Sequence, residues 1–126
     1  MSKALITGAG GFIGSHLVAH LVASGRPVLA MDQDLTRLDE LVGNPNLETL
    51  QADIGDEATL RQALVDVDTI FHLAAAHLGA STPEIEFRRV NVEAVSMLTT
   101  LAARLGVGRF IHCSSVGVFG RIENPP

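Results

Sequence analysis

The feature that most constrains the fold is a glycine-rich segment close to the N-terminus. A short apolar run, residues 3–7, leads into Gly8-Ala9-Gly10-Gly11-Phe12-Ile13-Gly14, and a stretch of helical periodicity begins inside this segment. This order of a strand, a glycine-rich turn and a helix N-terminus is suited to binding a pyrophosphate. The glycines let the backbone approach the ligand closely, and the first turn of the helix offers unpaired N–H groups. The segment therefore predicts a dinucleotide site.

The glycine spacing narrows the kind of nucleotide site. Gly8, Gly11 and Gly14 follow a Gly-x-x-Gly-x-x-Gly spacing, which differs from the simplest dinucleotide fingerprint, Gly-x-Gly-x-x-Gly. No Gly-Lys-Ser/Thr follows, so the segment is not a P-loop. The alternative interpretation is an ordinary glycine-rich turn, which the strand before it and the helix after it disfavour.

Asp32 ends the second apolar run and bears on the choice of cofactor. A carboxylate at this point can accept hydrogen bonds from both hydroxyls of an adenosine ribose, and it would repel a 2′-phosphate. We therefore expect NAD, with NADP less favoured but left open by Arg37 nearby. A solvated turn aspartate is the alternative interpretation.

Short apolar runs alternate with stretches of helical periodicity, which is typical of an α/β fold. Strands are predicted at approximately 3–7, 27–32, 47–52, 69–73 and 109–114, and helical segments at 11–24, 35–42, 57–64 and 83–105. Right-handed crossovers then give a doubly wound parallel sheet of the Rossmann-like type, in the order 3-2-1-4-5, with helices on both faces. We expect residues 1–126 to form one domain.

Composition excludes several classes of protein. The chain has 126 residues, 47% of them hydrophobic, and a net charge of -5, so it lacks the basic surface that nucleic acid binding requires. No apolar run approaches the roughly 18 residues that cross a bilayer, so no membrane is expected. Cys113 is the only cysteine, which excludes an intramolecular disulfide and favours the cytoplasm. We expect its thiol to be buried and inert.

Together these motifs resemble the extended short-chain dehydrogenases/reductases, also called the NAD-dependent epimerase/dehydratase family. The resemblance rests on six features in the family's order: residues 7–17, Asp32, 52–54, 72–76, 91–92 and 114–120. It implies NAD as cofactor and hydride transfer with a small-molecule substrate, either sugar-like or an alcohol or ketone.

The resemblance also implies roles for individual residues. Asp53 would contact the adenine amino group, Ile54 would pack on the base, and Asn91 would steady the sheet near the nicotinamide half. Ser115 would be the catalytic hydroxyl that bonds the substrate oxygen, with Ser114 closer to the cofactor. The full set implied for cofactor binding is Gly8, Gly10, Gly11, Phe12, Ile13, Gly14, Asp32, Asp53, Ile54, Leu73, Ala74, Ala75, Ala76, Asn91 and Ser114.

The chain departs from the family's catalytic pattern. Hydride transfer in the family depends on a Tyr-x-x-x-Lys pair, but this sequence has no tyrosine and its only lysine is Lys3. A separate departure is Phe119, which stands where the family usually has the tyrosine of its Ser-Ser-x-x-Val-Tyr-Gly pattern. We expect this chain to be the N-terminal portion of such an enzyme, binding NAD without turning over substrate. The alternative is a stand-alone NAD(P)-binding sensor or regulatory module.

The histidines give weaker indications. His16 and His20 are four residues apart on a predicted helix, but no third ligand is evident, so we expect no metal. His72 and His112 lie in apolar strands and are expected to be core residues. His77 follows the alanine run and is a candidate to face the pyrophosphate or substrate. The 83–105 helix carries apolar residues on more than one side, which favours a homodimer or looser self-association through it.

Overall fold

The computed structural model describes residues 3–77 and 81–120, so residues 1–2, 78–80 and 121–126 of the predicted domain lie outside the described part. One sheet of five parallel strands has the order β3-β2-β1-β4-β5, which confirms the predicted doubly wound fold. The strands are β1 (Lys3–Thr7), β2 (Val28–Asp32), β3 (Leu47–Gln51), β4 (Val67–His72) and β5 (Arg109–His112). The helices are α1 (Phe12–Ala23), α2 (Glu57–Ala63), α3 (Glu84–Arg88) and α4 (Ala94–Arg104), and a π-helical turn, Arg89–Glu93, joins α3 to α4.

Two cores cover the two faces of the sheet, because successive strand residues point to opposite sides. In the central strand β1, Leu5 packs into the core beneath α2 and α4, whereas Ile6 packs into the core beneath α1. Both side chains are fully buried. Burial of each such side chain contributes about 1.5–3 kcal/mol, so the sheet is a firm support for the loops at its ends.

Two predicted helices differ in detail from those observed. The 35–42 segment forms only a 3₁₀ turn, Thr36–Leu41, because Asp34 Oδ1 accepts from Thr36 N–H at 3.0 Å and Gly43 adopts a positive φ soon afterwards. The 83–105 helix is interrupted by its π-helical turn. Such turns occur frequently at functional sites.

The end of the sheet at β5 differs more from the sequence-based expectation. β5 stops at His112 instead of 114, and both His112 and Cys113 are exposed, so the predictions of a core histidine and a buried thiol were wrong. The physical reason is that β5 pairs only with β4 in the described sheet and forms its edge. Among the described helices, none is long and apolar enough to cross a membrane.

Candidate functional site

A cleft of about 360 Å³ opens at the carboxyl ends of β1, β2 and β4. This is the edge at which open α/β sheets bind ligands, because the connections after the neighbouring strands β1 and β4 run to opposite faces of the sheet and leave a crevice between them. Nine residues predicted from the sequence line the cleft: Gly8, Gly10, Gly11, Asp32, Ile54, Leu73, Ala74, Ala75 and Ala76. His77, a weaker candidate, lines it as well.

Three glycines are required by the protein's own packing. Gly8 has a φ of +70°, and a Cβ there would lie 2.6 Å from the Ala74 nitrogen. A Cβ on Gly10 would overlap the Asp34 carbonyl, and one on Gly14 would overlap the Gly8 carbonyl. Because these residues lack a Cβ, the loop can pack closely against the ends of β2 and β4 and against the start of α1.

Gly11 is constrained less severely by the protein's own packing. A Cβ there would meet only the Gly8 carbonyl oxygen, at 3.3 Å, and the residue is exposed toward the cleft. Gly11 is also the N-cap of α1, and no side chain caps this helix. The N–H groups of its first turn, Phe12, Ile13 and Gly14, have no intrahelical acceptor and produce a positive potential.

The side chains of Phe12 and Ile13 do not line the cleft. They are 70% and 59% exposed, and the Phe12 ring packs against His16 at a centroid distance of 4.8 Å. His16 Nδ1 also lies 2.7 Å from the Phe12 carbonyl oxygen, so this histidine serves helix packing as predicted. What these two residues offer a ligand is therefore backbone.

Asp32 links the end of β2 to the glycine loop. Its Oδ2 accepts from Gly10 N–H at 2.9 Å and its Oδ1 accepts from Gln33 N–H at 2.7 Å. Asp32, Asp34 and Glu86 all line the cleft, and no lysine or arginine does so within the described chain. Hydrogen bonds from Thr36 lower the pKa of Asp34, so this carboxylate is ionised at neutral pH like Asp32, whereas the charge of Glu86 is balanced by Arg89.

Asn91, on the π-helical turn, fastens the loop that follows β4. Its Oδ1 accepts from Ala76 N–H at 2.8 Å, and its Nδ2 donates to the Ala76 carbonyl at 3.1 Å. The side chain thus pairs with backbone as a neighbouring strand would. Asn91 does not itself line the cleft but holds the alanine segment that does.

Beneath that segment, Thr7 Oγ1 lies 2.7 Å from His72 Nδ1 and accepts from Ala74 N–H at 3.3 Å. Both Thr7 and His72 are buried, which confirms the core prediction for His72. Burial, and secondarily the neighbouring His112, lower the pKa of His72 to about 4. The ring is therefore neutral at physiological pH.

Asp53 lies just outside the cleft and is already bound by protein groups. Arg89 donates to its two oxygens at 2.7 and 3.0 Å, Gly55 N–H donates to Oδ1 at 2.6 Å, and Gln33 Nε2 donates to Oδ2. The hydrogen bonds from Arg89 are the main reason that the pKa of Asp53 is lowered. Its neighbour Ile54 is buried and lines the cleft.

Ser114 and Ser115 are not brought to the cleft. They follow β5 and are exposed, and Ser115 Oγ accepts from Gly117 N–H at 3.1 Å. That hydrogen bond caps a 3₁₀ turn, Val116–Phe119. The catalytic role implied for Ser115 stays a prediction.

Seven further residues line the cleft but were not predicted as site residues from the sequence: Thr7, Met31, Gln33, Asp34, Ala52, Glu86 and Val90. Gln33, Asp34 and Ala52 follow directly after strands, so the rule that ligands meet strand ends could have identified them. Glu86 and Val90 are four residues apart on one side of the 83–105 helix, but nothing in the sequence states which side faces the cleft.

A doubly wound parallel sheet with a glycine loop, an uncapped helix N-terminus and an acidic residue after β2 defines the class of Rossmann-like dinucleotide-binding domains. The comparison with protein families is more specific. The model of the NAD dependent epimerase/dehydratase family matches residues 4–126, and the chain belongs to this family.

Individual relatives have several activities. The chain is 35% identical over 131 residues to dTDP-glucose 4,6-dehydratase of Streptomyces antibioticus, covering 95% of this chain and 39% of the relative. It is 36% identical over 124 residues to 3 beta-hydroxysteroid dehydrogenase/Delta 5-->4-isomerase of Mycobacterium tuberculosis, covering 94% and 33%. The crystal structure of DesIV, a dTDP-glucose 4,6-dehydratase from Streptomyces venezuelae with NAD and TYD bound, superposes with a TM-score of 0.85 at 32% identity, covering 98% of this chain and 42% of that chain. The chain therefore spans well under half the length of these relatives.

Proposed function

We propose that this chain is the NAD-binding portion of an epimerase, dehydratase or oxidoreductase that works by hydride transfer on a sugar-like, alcohol or ketone substrate. The observation that carries the proposal is the contact between Asp32 Oδ2 and Gly10 N–H at 2.9 Å. It sets a ribose-binding carboxylate directly beside the backbone that would hold a pyrophosphate. The NAD bound in the DesIV crystal structure supports the same choice of ligand.

The residues present fit a dinucleotide. The pyrophosphate would be held by the unpaired backbone N–H groups in the first turn of α1, because the N–H groups of Gly10 and Gly11 already donate to Asp32 Oδ2 and to the Gly8 carbonyl. The adenosine ribose would bind Asp32, and Ala74 with its neighbours would leave backbone within reach of the ligand. NAD supplies the capacity to accept and return hydride, and these residues bind and orient it.

The charge of the cleft supports NAD over NADP. Asp32 and Asp34 line it near the ribose, whereas the third lining carboxylate, Glu86, is paired with Arg89; Arg37, which kept NADP open, acts electrostatically on Asp34 but is not among the lining residues. A 2′-phosphate would bring about -1.5 to -2 charges toward Asp32, as phosphate monoesters do at neutral pH. We therefore propose selectivity for NAD.

Catalysis would need groups that these 126 residues do not include. The sequence has no tyrosine, and Lys3 lies at the start of β1, at the opposite end of the strand from the cleft. We propose that the chain by itself binds NAD without turning over substrate. Ser115 is proposed as the substrate-directed hydroxyl of the complete site.

A second candidate function is an NAD-binding sensor or regulatory module. The observation that favours it is that the Ser115 hydroxyl caps a turn and is not among the groups that line the cleft. Reading the encoding frame beyond Pro126 distinguishes the two candidates. A continuation with Tyr-x-x-x-Lys supports the enzyme, whereas a stop codon directly after Pro126 supports the module.

We also propose a homodimer through the helical segment 83–105. Ile85 and Val92 are 77% and 52% exposed on it, so this segment offers apolar surface to a second copy of the chain. Light scattering at high protein concentration should give the mass of a dimer. A monomeric mass under those conditions would contradict the proposal.

Calorimetric titration with NAD tests the main proposal. We expect Gly11→Val to abolish binding, because its side chain would enter the space beside the helix N-terminus; a thermal melt checks that the variant is folded, since its Cβ would lie 3.3 Å from the Gly8 carbonyl oxygen. Gly108→Val is the matched control, because its Cβ would meet only the Asp68 carbonyl at 3.5 Å, far from the cleft. Equal affinities for wild type and Gly11→Val would overturn the loop assignment.

A further inference from the structure

Arg89 joins two parts of the molecule that are distant in sequence. Its guanidinium donates to both oxygens of Asp53, at 2.7 and 3.0 Å, and to both oxygens of Glu86, at 2.6 and 2.9 Å. Asp53 follows β3, and Glu86 belongs to α3. Two-pronged contacts of this kind fix geometry as well as adding attraction, since the planar guanidinium matches a carboxylate.

The two segments that Arg89 joins, the loop after β3 and α3, form opposite walls of one end of the cleft. Ile54, next to Asp53, lines it from the β3 side, and Glu86 and Val90 line it from the helical side. β3 neighbours β2 in the sheet, so this end lies beyond Asp32. An adenosine whose ribose binds Asp32 would place its base here, between the apolar side chains of Ile54 and Val90.

Packing alone does not hold the helical wall. α3 has five residues and none is buried, so few apolar contacts fix its position against the sheet. The ion pairs of Arg89 are the described contacts that link it to the loop after β3. Without them, this wall would be held only from the π-helical turn, where Val90 packs on the core and Asn91 bonds to Ala76, and α3 would lose its link to the loop after β3.

Asp53 is arranged to hold Arg89, not to meet a ligand. A carboxylate has about four acceptor positions. In Asp53 these are used by two Arg89 nitrogens, Gly55 N–H and Gln33 Nε2. Gln33 lines the cleft and Asp53 does not, so the carboxylate meets the lining of the cleft through the glutamine amide.

We propose that Arg89 is a positioning residue for the adenine base, which keeps the Ile54 wall and the Val90 wall at the separation a purine requires. The inference rests on the proposed function, since it assigns the adenosine half of the dinucleotide to this end of the cleft. It differs from the role implied for Asp53 by family resemblance, because here Asp53 acts through Arg89.

Titration with ADP and CDP tests the proposal on wild type and on Arg89→Met, which keeps an aliphatic side chain but removes both ion pairs. The two ligands share ribose and pyrophosphate and differ in the size of the base. We expect Arg89→Met to weaken ADP about tenfold and CDP by clearly less, so the preference for ADP falls. The matched control is Arg88→Met, because Arg88 is 70% exposed, pairs only loosely with Glu93 at 3.6 Å and does not line the cleft.

Each outcome has a distinct meaning. If wild type binds NAD but shows no preference for ADP, or if Arg89→Met keeps the preference of Arg88→Met, the role of Arg89 is overturned and the proposed function stands. Equal weakening of ADP and CDP would show a general structural effect and would also overturn it. Failure of wild type to bind NAD would overturn the proposed function itself.

A second variant keeps the test valid if Arg89→Met does not fold. Arg89→Lys retains the positive charge, but an ammonium group cannot hold two carboxylates in the same two-pronged way. We expect a smaller loss of ADP preference, with a melting temperature close to that of wild type. A wild-type ratio of ADP to CDP affinity in a folded Arg89→Lys protein would contradict the proposal.

Discussion

His72 lies at the end of β4, with its ring buried between Thr7 and His112. Its Nδ1 is 2.7 Å from Thr7 Oγ1, whereas its Nε2 has no hydrogen-bond partner within the part of the chain described. The His112 ring is stacked on it at 5.5 Å. A proton added to His72 would therefore place a charge in an apolar setting beside another imidazole, which is why its pKa falls to about 4.

This lowered pKa predicts how stability depends on pH. Well above pH 6.5 the imidazole is neutral in both the folded and the unfolded chain, so the free energy of unfolding has its full value there. As pH falls from 6.5 toward 4, the unfolded chain binds a proton that the folded chain does not, and stability is lost. The gap between the two pKa values corresponds to about 3 kcal/mol in total and about 2 kcal/mol by pH 5. Domains of this size are stable by roughly 5–15 kcal/mol, so the loss is measurable.

Urea denaturation at pH 7, 6 and 5 measures this loss. The comparison is between wild type and His72→Gln, which removes the titrating group but keeps polar atoms near Thr7. His16→Gln is the control, because His16 is exposed on α1. We expect wild type and His16→Gln to lose about 2 kcal/mol more than His72→Gln between pH 7 and pH 5. The same pH dependence in all three proteins would refute the reasoning.

Three further changes have defined outcomes. Gly14→Ala should lower the free energy of unfolding by about 3 kcal/mol in thermal melts, because the new methyl group would overlap the Gly8 carbonyl; an unchanged melting temperature would contradict this. Asp32→Ala should weaken NAD about tenfold in calorimetry and reduce its preference over NADP. Asn91→Ala should speed amide exchange at Ala76, because both hydrogen bonds to that backbone are lost.

The parts of the fold that the sequence predicts well are those determined by local pattern. Runs such as residues 3–7 and 28–32 are apolar on both faces, which is typical of central parallel strands, and the structure buries both. The glycine loop was predictable because Gly8, Gly10 and Gly14 have no tolerable substitute where backbone approaches backbone. Nine of the residues implied for cofactor binding accordingly line the cleft.

The parts that the sequence does not predict depend on contacts between distant residues. Arg89 and Asp53 are 36 positions apart, and no periodicity indicates that the π-helical turn would bring them together. The exposure of Cys113 likewise depends on the place of β5 at the sheet edge, which an apolar run does not specify. Neither feature follows from residue type alone.

The central claim is that NAD binds in the cleft through the glycine loop, and two-dimensional ¹⁵N–¹H NMR of the labelled chain titrated with NAD tests it most directly. We predict the largest shifts at the amides of Gly10, Gly11 and Phe12, with a second group at Gln33 and near Ala76. The amide of Ser115, outside the cleft, should shift much less than these. Shifts absent from the glycine loop at saturating NAD, or confined to the β5 end of the sheet, would contradict the account.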